Sequence, residues 1–237
     1  MIKLVTFLKR RPDLTRRQFK QRWLTVHAPI ASKFPGLRGY MLGFSLEVEE
    51  PRADGVAQLW FDIREAAQAS YASDIGRNGS ADANAYLARR EHLLVSEEWV
   101  SRTAPLVDTP FKLLVAAKRR PDQSRDEFVT SWQEFARGPV GEICSTSQVR
   151  LSVDEAGQLL NSRTTGALDL IEGEAVFDGL LELWFASEEA LRSGFDSFLL
   201  NVRDDLTRRV SSLELALLEE YVVVTPPDSV YGLETGI

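Results

Sequence analysis

The 237-residue chain has one cysteine, Cys144, and two histidines, His27 and His92. One thiol excludes an intrachain disulfide and any multi-cysteine metal site, and it fits a reducing compartment. With so few soft donors a zinc site would rest mainly on carboxylates, an unfavourable set, so no metal is expected. The chain contains no G-x-G-x-x-G or Walker A string, which leaves nucleotide binding without a motif. It contains no G-x-S-x-G elbow either, and a Ser–His–Asp triad would have to use His27 or His92. Basic charge is scarce: 28 Lys and Arg against 35 Asp and Glu give a net charge of −7. That argues against nucleic acid as a partner, because phosphate neutralisation needs a basic face. No apolar run approaches the ~20 residues that span a bilayer. The N-terminus lacks the charged, apolar and small-residue pattern of a secretory signal. A soluble, cytoplasmic protein with no membrane partner is expected.

What the chain does have is an internal repeat. Lys9-Arg10-Arg11-Pro12-Asp13 returns as Lys118-Arg119-Arg120-Pro121-Asp122, and Phe19 and Trp23 return at the same offset as Phe128 and Trp132. Repeats this long indicate a duplicated domain rather than a solenoid. In the first copy Ile2–Lys9 reads as a doubly covered strand. Thr15 and Gln18 form a capping-box pattern, and Phe19, Trp23 and Val26 make a helical stripe that Pro29 should stop. Leu37–Val48 and Val56–Phe61 read as the second and third strands. A second helix covers Arg64–Ala72, is interrupted at Gly76–Gly79, and resumes over Ala81–His92. A last strand contains Glu97-Glu98-Trp99-Val100. The second copy repeats the plan with Ser124 and Glu127 as capping box, Leu180–Phe185 as third strand and Glu188–Arg209 as second helix. About 15 extra residues fall within Ser145–Ala175, and Glu219-Glu220-Tyr221-Val222 lies in its closing strand.

Each half therefore reads strand–helix–strand–strand–helix–strand, the ferredoxin-like order. The expected class is α+β, with domains at 1–103 and 110–225, a linker at Ser101–Thr109 and a tail at 226–237. A four-stranded sheet with helices on one side leaves its other face bare. The Trp-Phe pair of each third strand puts a large aromatic on both faces. Two such sheets should pack together as an intrachain α/β barrel.

Lys9-Arg-Arg-Pro, Phe19-x-x-x-Trp23, His27-Ala28-Pro29-Ile30 and Pro35-Gly36-Leu37-Arg38-Gly39-Tyr40 together resemble the EthD family of the dimeric α/β-barrel superfamily. The second copy keeps Lys118–Pro121 and Phe128-x-x-x-Trp132 but reads Ala136-Arg137-Gly138-Pro139 where the first has His27-Ala28-Pro29. The resemblance implies a fused pseudo-dimer, as a monomer or a homodimer of fused chains. Relatives in that superfamily include cofactor-free monooxygenases, dehydratases, isomerases and haem-dependent enzymes.

His27 is the leading candidate for chemistry, because it lies four residues after Trp23 on the same helix face and its imidazole titrates near neutrality. The plainer reading is a helix C-terminal cap. Tyr40 could donate to a substrate oxygen or could simply pack a strand end. Trp23, Trp60 and Tyr71 are candidate pocket walls. Lys9 could hold a substrate carboxylate or phenolate, or end its strand in solvent. Asp74–Ser80 could be a glycine-hinged lid or a surface loop. His92, in a charged run, should be exposed. No cofactor is expected, with haem on His27 as the alternative. The leading hypothesis is a cofactor-independent lyase for a small aromatic or phenolic metabolite, performing dehydration, decarboxylation or carbon–carbon cleavage. His27 would move the proton, and Tyr40 or Lys9 would stabilise oxyanion charge. The alternatives are a cofactor-free monooxygenase or isomerase, and a non-catalytic accessory protein. A pocket too small for an aromatic ring, or a His27 turned away from it, would favour the last.

Overall fold

The first copy forms an antiparallel sheet in the order β4-β1-β3-β2, built from β1 (Ile2–Arg10), β2 (Gly39–Ser45), β3 (Gly55–Phe61) and the early part of β4 (Leu87–Arg102). The computed structural model describes residues 1–102, 108–142, 146, 148–162 and 168–227. Cys144, most of the expected linker and most of the expected tail lie outside them. Alternation along β1 sends Leu4, Thr6 and Leu8 to the helical side and Lys3, Val5 and Phe7 to the other, and both sets are buried. No described helix is long and apolar enough to cross a membrane.

The chain divides into two compact units, Met1–Val95 with Glu155–Val176 and Tyr221–Ile237, and Ser96–Asp154 with Phe177–Glu220. They interleave rather than divide once near residues 103–110. The extra residues of the second copy explain part of this. Their short strands Leu159–Asn161 (β7) and Asp169–Ile171 (β8) pair with each other, and Leu160 pairs with His92 of β4. Leu160 and Leu168 join the first unit's core.

The second unit repeats the antiparallel pairing with β5 (Phe111–Arg119) between β10 (Val210–Val224) and β9 (Gly179–Phe185), and β6 (Gln148–Asp154) beyond β9. The registers correspond: Lys3 faces Trp60 across β1 and β3, and Lys112 faces Trp184 across β5 and β9. The Lys-Arg-Arg-Pro-Asp repeat is a strand-end clamp. The backbone N–H of Arg10 donates to Asp54 at 3.0 Å, and that of Arg119 donates to Asp178 at 2.9 Å. Gly55 and Gly179 serve the copies alike. A Cβ at Gly55 would lie 2.4 Å from the Trp23 ring, and one at Gly179 would lie 2.7 Å from Trp132 Nε1. Glycine at the start of each third strand admits the helix tryptophan.

The helices depart from expectation in the first copy. Thr15 and Gln18 form the capping box of α1 (Arg16–Arg22), but Pro29 does not end the helix. A π turn at Trp23–His27 follows, and α2 (Ala28–Ala31) continues with Pro29 in its first turn, where a missing N–H costs little. The second copy's α5 (Arg125–Arg137) has no such widening and runs to a Gly138 cap.

Gly76 and Gly79 are not a lid loop: α4 (Asp74–Tyr86) runs through both, and the break after α3 (Arg64–Ala72) falls at Ser73. The glycines permit close approach. A Cβ at Gly76 would meet the Ser70 carbonyl at 2.2 Å, and one at Gly79 the Phe34 ring at 2.8 Å. Helix α4 ends at Tyr86, so residues up to His92, expected as helix, begin β4 instead. The single helix expected over Glu188–Arg209 is two, α6 (Glu188–Asn201) and α7 (Arg203–Arg209).

Candidate active site

The helical face of the first sheet and the helices over it enclose a cavity of about 30 Å³. Trp23 and His27 enter from the π turn, Tyr40 from β2, Tyr71 from α3, Tyr86 from the end of α4, and His92 from β4. The π turn widens the backbone at the point where the helix delivers Trp23 and His27 to this space. Of the lining residues only His27 and Arg90 keep partial exposure, so they mark its mouth.

His27 is held by a carboxylate. Its Nδ1 lies 3.1 Å from Asp82 Oδ2, and Asp82 also pairs with the Arg22 guanidinium. The hydrogen bond from His27, followed by the charges of His27 and Arg22, keeps Asp82 below the usual carboxylate range. An ionised Asp82 accepts the proton on Nδ1, which leaves Nε2 as the basic nitrogen. The His27 ring lies 5.6 Å from that of Tyr86. Tyr86 is 1% exposed, and its hydroxyl hydrogen-bonds to no described protein atom. Burial raises its pKa well above the ordinary phenol value.

Tyr40 Oη accepts a 2.9 Å hydrogen bond from Trp23 Nε1 and so retains its own proton for donation. Its pKa is raised by burial. Burial also pushes Tyr71 up to about 12, so both phenols are neutral donors at physiological pH. The expected wall residues Trp23 and Tyr71 thus line the cavity beside His27 and Tyr40. Trp60 and Lys9 do not. Trp60 is on the opposite face of β3, with Lys3 Nζ 5.6 Å from its ring. Lys9 Nζ donates to Glu50 at 2.6 Å and lies 3.5 Å from Asp54, neutralised at the strand end.

His92 is buried at 3% exposure, contrary to the expectation from its charged neighbours. Read as a strand, Arg90, His92 and Leu94 alternate with Glu91 and Leu93, and His92 faces Thr6 across the sheet. Its Nδ1 lies 2.8 Å from Thr6 Oγ1 and its Nε2 2.7 Å from Ser162 Oγ. Burial, reinforced by Arg90, pushes its pKa down to about 3. His92 is therefore a neutral, doubly hydrogen-bonded ring beside the cavity. A stability consequence follows from the depressed value. Unfolded His92 takes up a proton below its ordinary 6.5, whereas the folded ring resists it down to about 3. Stability is then complete above 6.5 and falls as pH drops below it, by about 1.4 kcal/mol per unit. Urea unfolding at pH 7 and pH 5 should show about 2 kcal/mol of loss that His92→Gln removes. An unchanged pH slope in the variant would exclude this assignment.

Asp82 and Tyr86 stand out only once α4 is known to be one helix, because their four-residue spacing then puts both on the face that meets His27.

Residues 11–90 match the model of the EthD family, described as the EthD domain, a stretch that holds His27, Asp82 and Tyr86. A search of curated proteins gave no match. Among solved structures, a candidate monooxygenase from Lactobacillus acidophilus NCFM aligns at TM-score 0.54 and 9% identity, over 95% of this chain and 96% of its own. An anthrone oxidase-like protein aligns at TM-score 0.60 and 9% identity, over 94% and 92%. A candidate monooxygenase from Fusobacterium nucleatum aligns at 0.53 and 10%, over 93% of both chains. At such identity the likeness is one of fold: α+β, with two ferredoxin-like copies of the dimeric α/β-barrel class in one chain.

Proposed function

We propose that this EthD-domain chain is a lyase that works by general acid–base catalysis in the first-unit cavity, with His27 as the residue that moves the proton. The observation that carries the reading is the Asp82–His27 pair at the mouth of an aromatic-lined cavity. A carboxylate on Nδ1 orients the ring and stabilises the imidazolium formed when Nε2 takes a proton. Dehydration, decarboxylation and carbon–carbon cleavage next to a carbonyl share one demand: a carbanion or enolate must form and then be reprotonated or expel a β leaving group. A base at the mouth with neutral phenols behind it meets that demand. The coarser assignment to small-molecule catalysis or binding agrees with the solved structures of this fold.

The cavity volume narrows the substrate. At about 30 Å³ it has room for two or three waters at roughly 10–15 Å³ each, whereas a benzene ring occupies a cavity of about 150 Å³. The aromatic or phenolic ring expected from the resemblance, and a haem on His27, both exceed it. A reacting carbonyl end fits. The experiment is proton NMR of acetone in D2O. The chain should accelerate α-deuteration above the buffer rate, with saturation in acetone. No acceleration with acetone or with butanone would refute catalysis at an α carbon. The same small volume favours the second reading, a non-catalytic binding protein, and that outcome would leave it standing.

A further inference from the structure

The Tyr86 hydroxyl is buried, lines the cavity and has no protein partner among the described residues. A buried hydroxyl with no protein partner must be satisfied by what occupies the cavity it lines. Tyr40 shows the contrast, since its equally buried phenol is bonded to Trp23. Nothing in local packing requires oxygen on Tyr86: its ring is held by Phe19, at 5.9 Å between centroids, and by the Arg22 guanidinium at 5.6 Å.

We propose that Tyr86 is the substrate-anchoring residue, and that its hydroxyl donates to the anionic oxygen of an enolate or carboxylate whose carbon chain faces His27. The inference rests on the acid–base reading above and names its substrate class, a small carbonyl compound that reacts as its enolate. The step balances without a further reagent. His27 Nε2 takes the α proton, the C–H pair becomes the new C=C bond, and the carbonyl π pair moves to oxygen, where Tyr86 O–H donates. Reprotonation or loss of a leaving group at the β carbon then returns the carbonyl. The Tyr86 proton is a donor throughout, because burial makes the phenolate inaccessible. Arg90 and Arg22 at the mouth outnumber Asp82 there, which suits an anion.

Acetate is the probe, being planar, anionic and equal in heavy-atom count to the acetone enolate. Calorimetric titration should show acetate binding to the wild-type chain and at least tenfold weaker binding to Tyr86→Phe, the loss expected for a hydrogen bond to a charged group. Without acetate, Tyr86→Phe should melt at or above the wild-type temperature, since the change breaks no hydrogen bond to the protein. His27→Gln should bind acetate within a few-fold of wild type. Equal acetate affinity in Tyr86→Phe, or absence of binding to the wild type, would overturn the anchoring role. So would a lower melting temperature of Tyr86→Phe, which would mark the hydroxyl as structurally bonded. The two proposals fail separately: loss of exchange in His27→Gln with normal acetate binding by Tyr86→Phe removes only the anchor. Normal exchange in His27→Gln with acetate binding lost in Tyr86→Phe removes only the base.

Discussion

Lys112→Met is expected to lower stability at neutral pH by about 3–5 kcal/mol, measured from urea unfolding, because it takes a buried ammonium away from two buried carboxylates. Lys112 is 0% exposed, donates to Glu182 Oε1 at 2.9 Å and pairs with Glu220. Glu220 in turn accepts from Trp184 Nε1 at 2.7 Å. Burial alone would lower the lysine's pKa, but the charges and hydrogen bonds of Glu182 and Glu220 outweigh it and leave the pKa raised. The ammonium therefore offsets part of the cost of burying both carboxylates. Methionine keeps the volume of the stem and removes only that charge. The triple change Lys112→Met, Glu182→Gln and Glu220→Gln should recover most of the loss, since well-packed neutral groups can replace buried ions at little cost. A single variant as stable as the wild type would show that the ammonium does not offset the burial of the two carboxylates. The first copy has Gln58 at the position of Glu182.

The scaffold was legible because it is repeated. Positions that recur between the copies, such as Trp23 with Trp132 before the extra residues and Trp60 with Trp184 after them, answer to the same packing in both. The first and third strands of each copy and both capping boxes followed from them. What escaped was specific to one copy. Pro29 reads as a helix stop, and only the π turn before it lets the helix continue. Gly76 and Gly79 read as hinges because glycine has two uses, freedom and close approach, and sequence alone does not choose between them. Arg89-Arg90-Glu91-His92 reads as a solvated helix end. On a strand Arg89 and Glu91 take the other face, and His92 turns inward to Thr6.

The candidate site was legible in part for the same reason. His27 and Tyr40 sat in a recognisable string, and Trp23 shared a helix face with His27. Asp82 and Tyr86 had no such signal while α4 was read as broken. Ser162 reaches His92 from the extra residues of the second copy, a contact across 70 positions that no local pattern announces. Lys9 and Trp60 were plausible by type and excluded by direction, since one ends a strand against carboxylates and the other is on the far face of β3.

His27→Gln is the variant that should cost most in rate. Glutamine matches the imidazole in reach and hydrogen bonding toward Asp82, but it cannot take a proton near neutral pH. General-base catalysis by a positioned histidine contributes roughly 10²–10⁴-fold, and that is the expected fall in acetone α-deuteration. The fold should be untouched, because His27 keeps 14% side-chain exposure and fills no closed core position. The measurement that tests the central claim most directly is therefore the α-deuteration rate of acetone with wild-type and His27→Gln chains of equal melting temperature. A fall of at least a hundredfold is the predicted result. A His27→Gln chain that exchanges acetone as fast as the wild type would contradict the assignment of His27 as the proton-transferring residue.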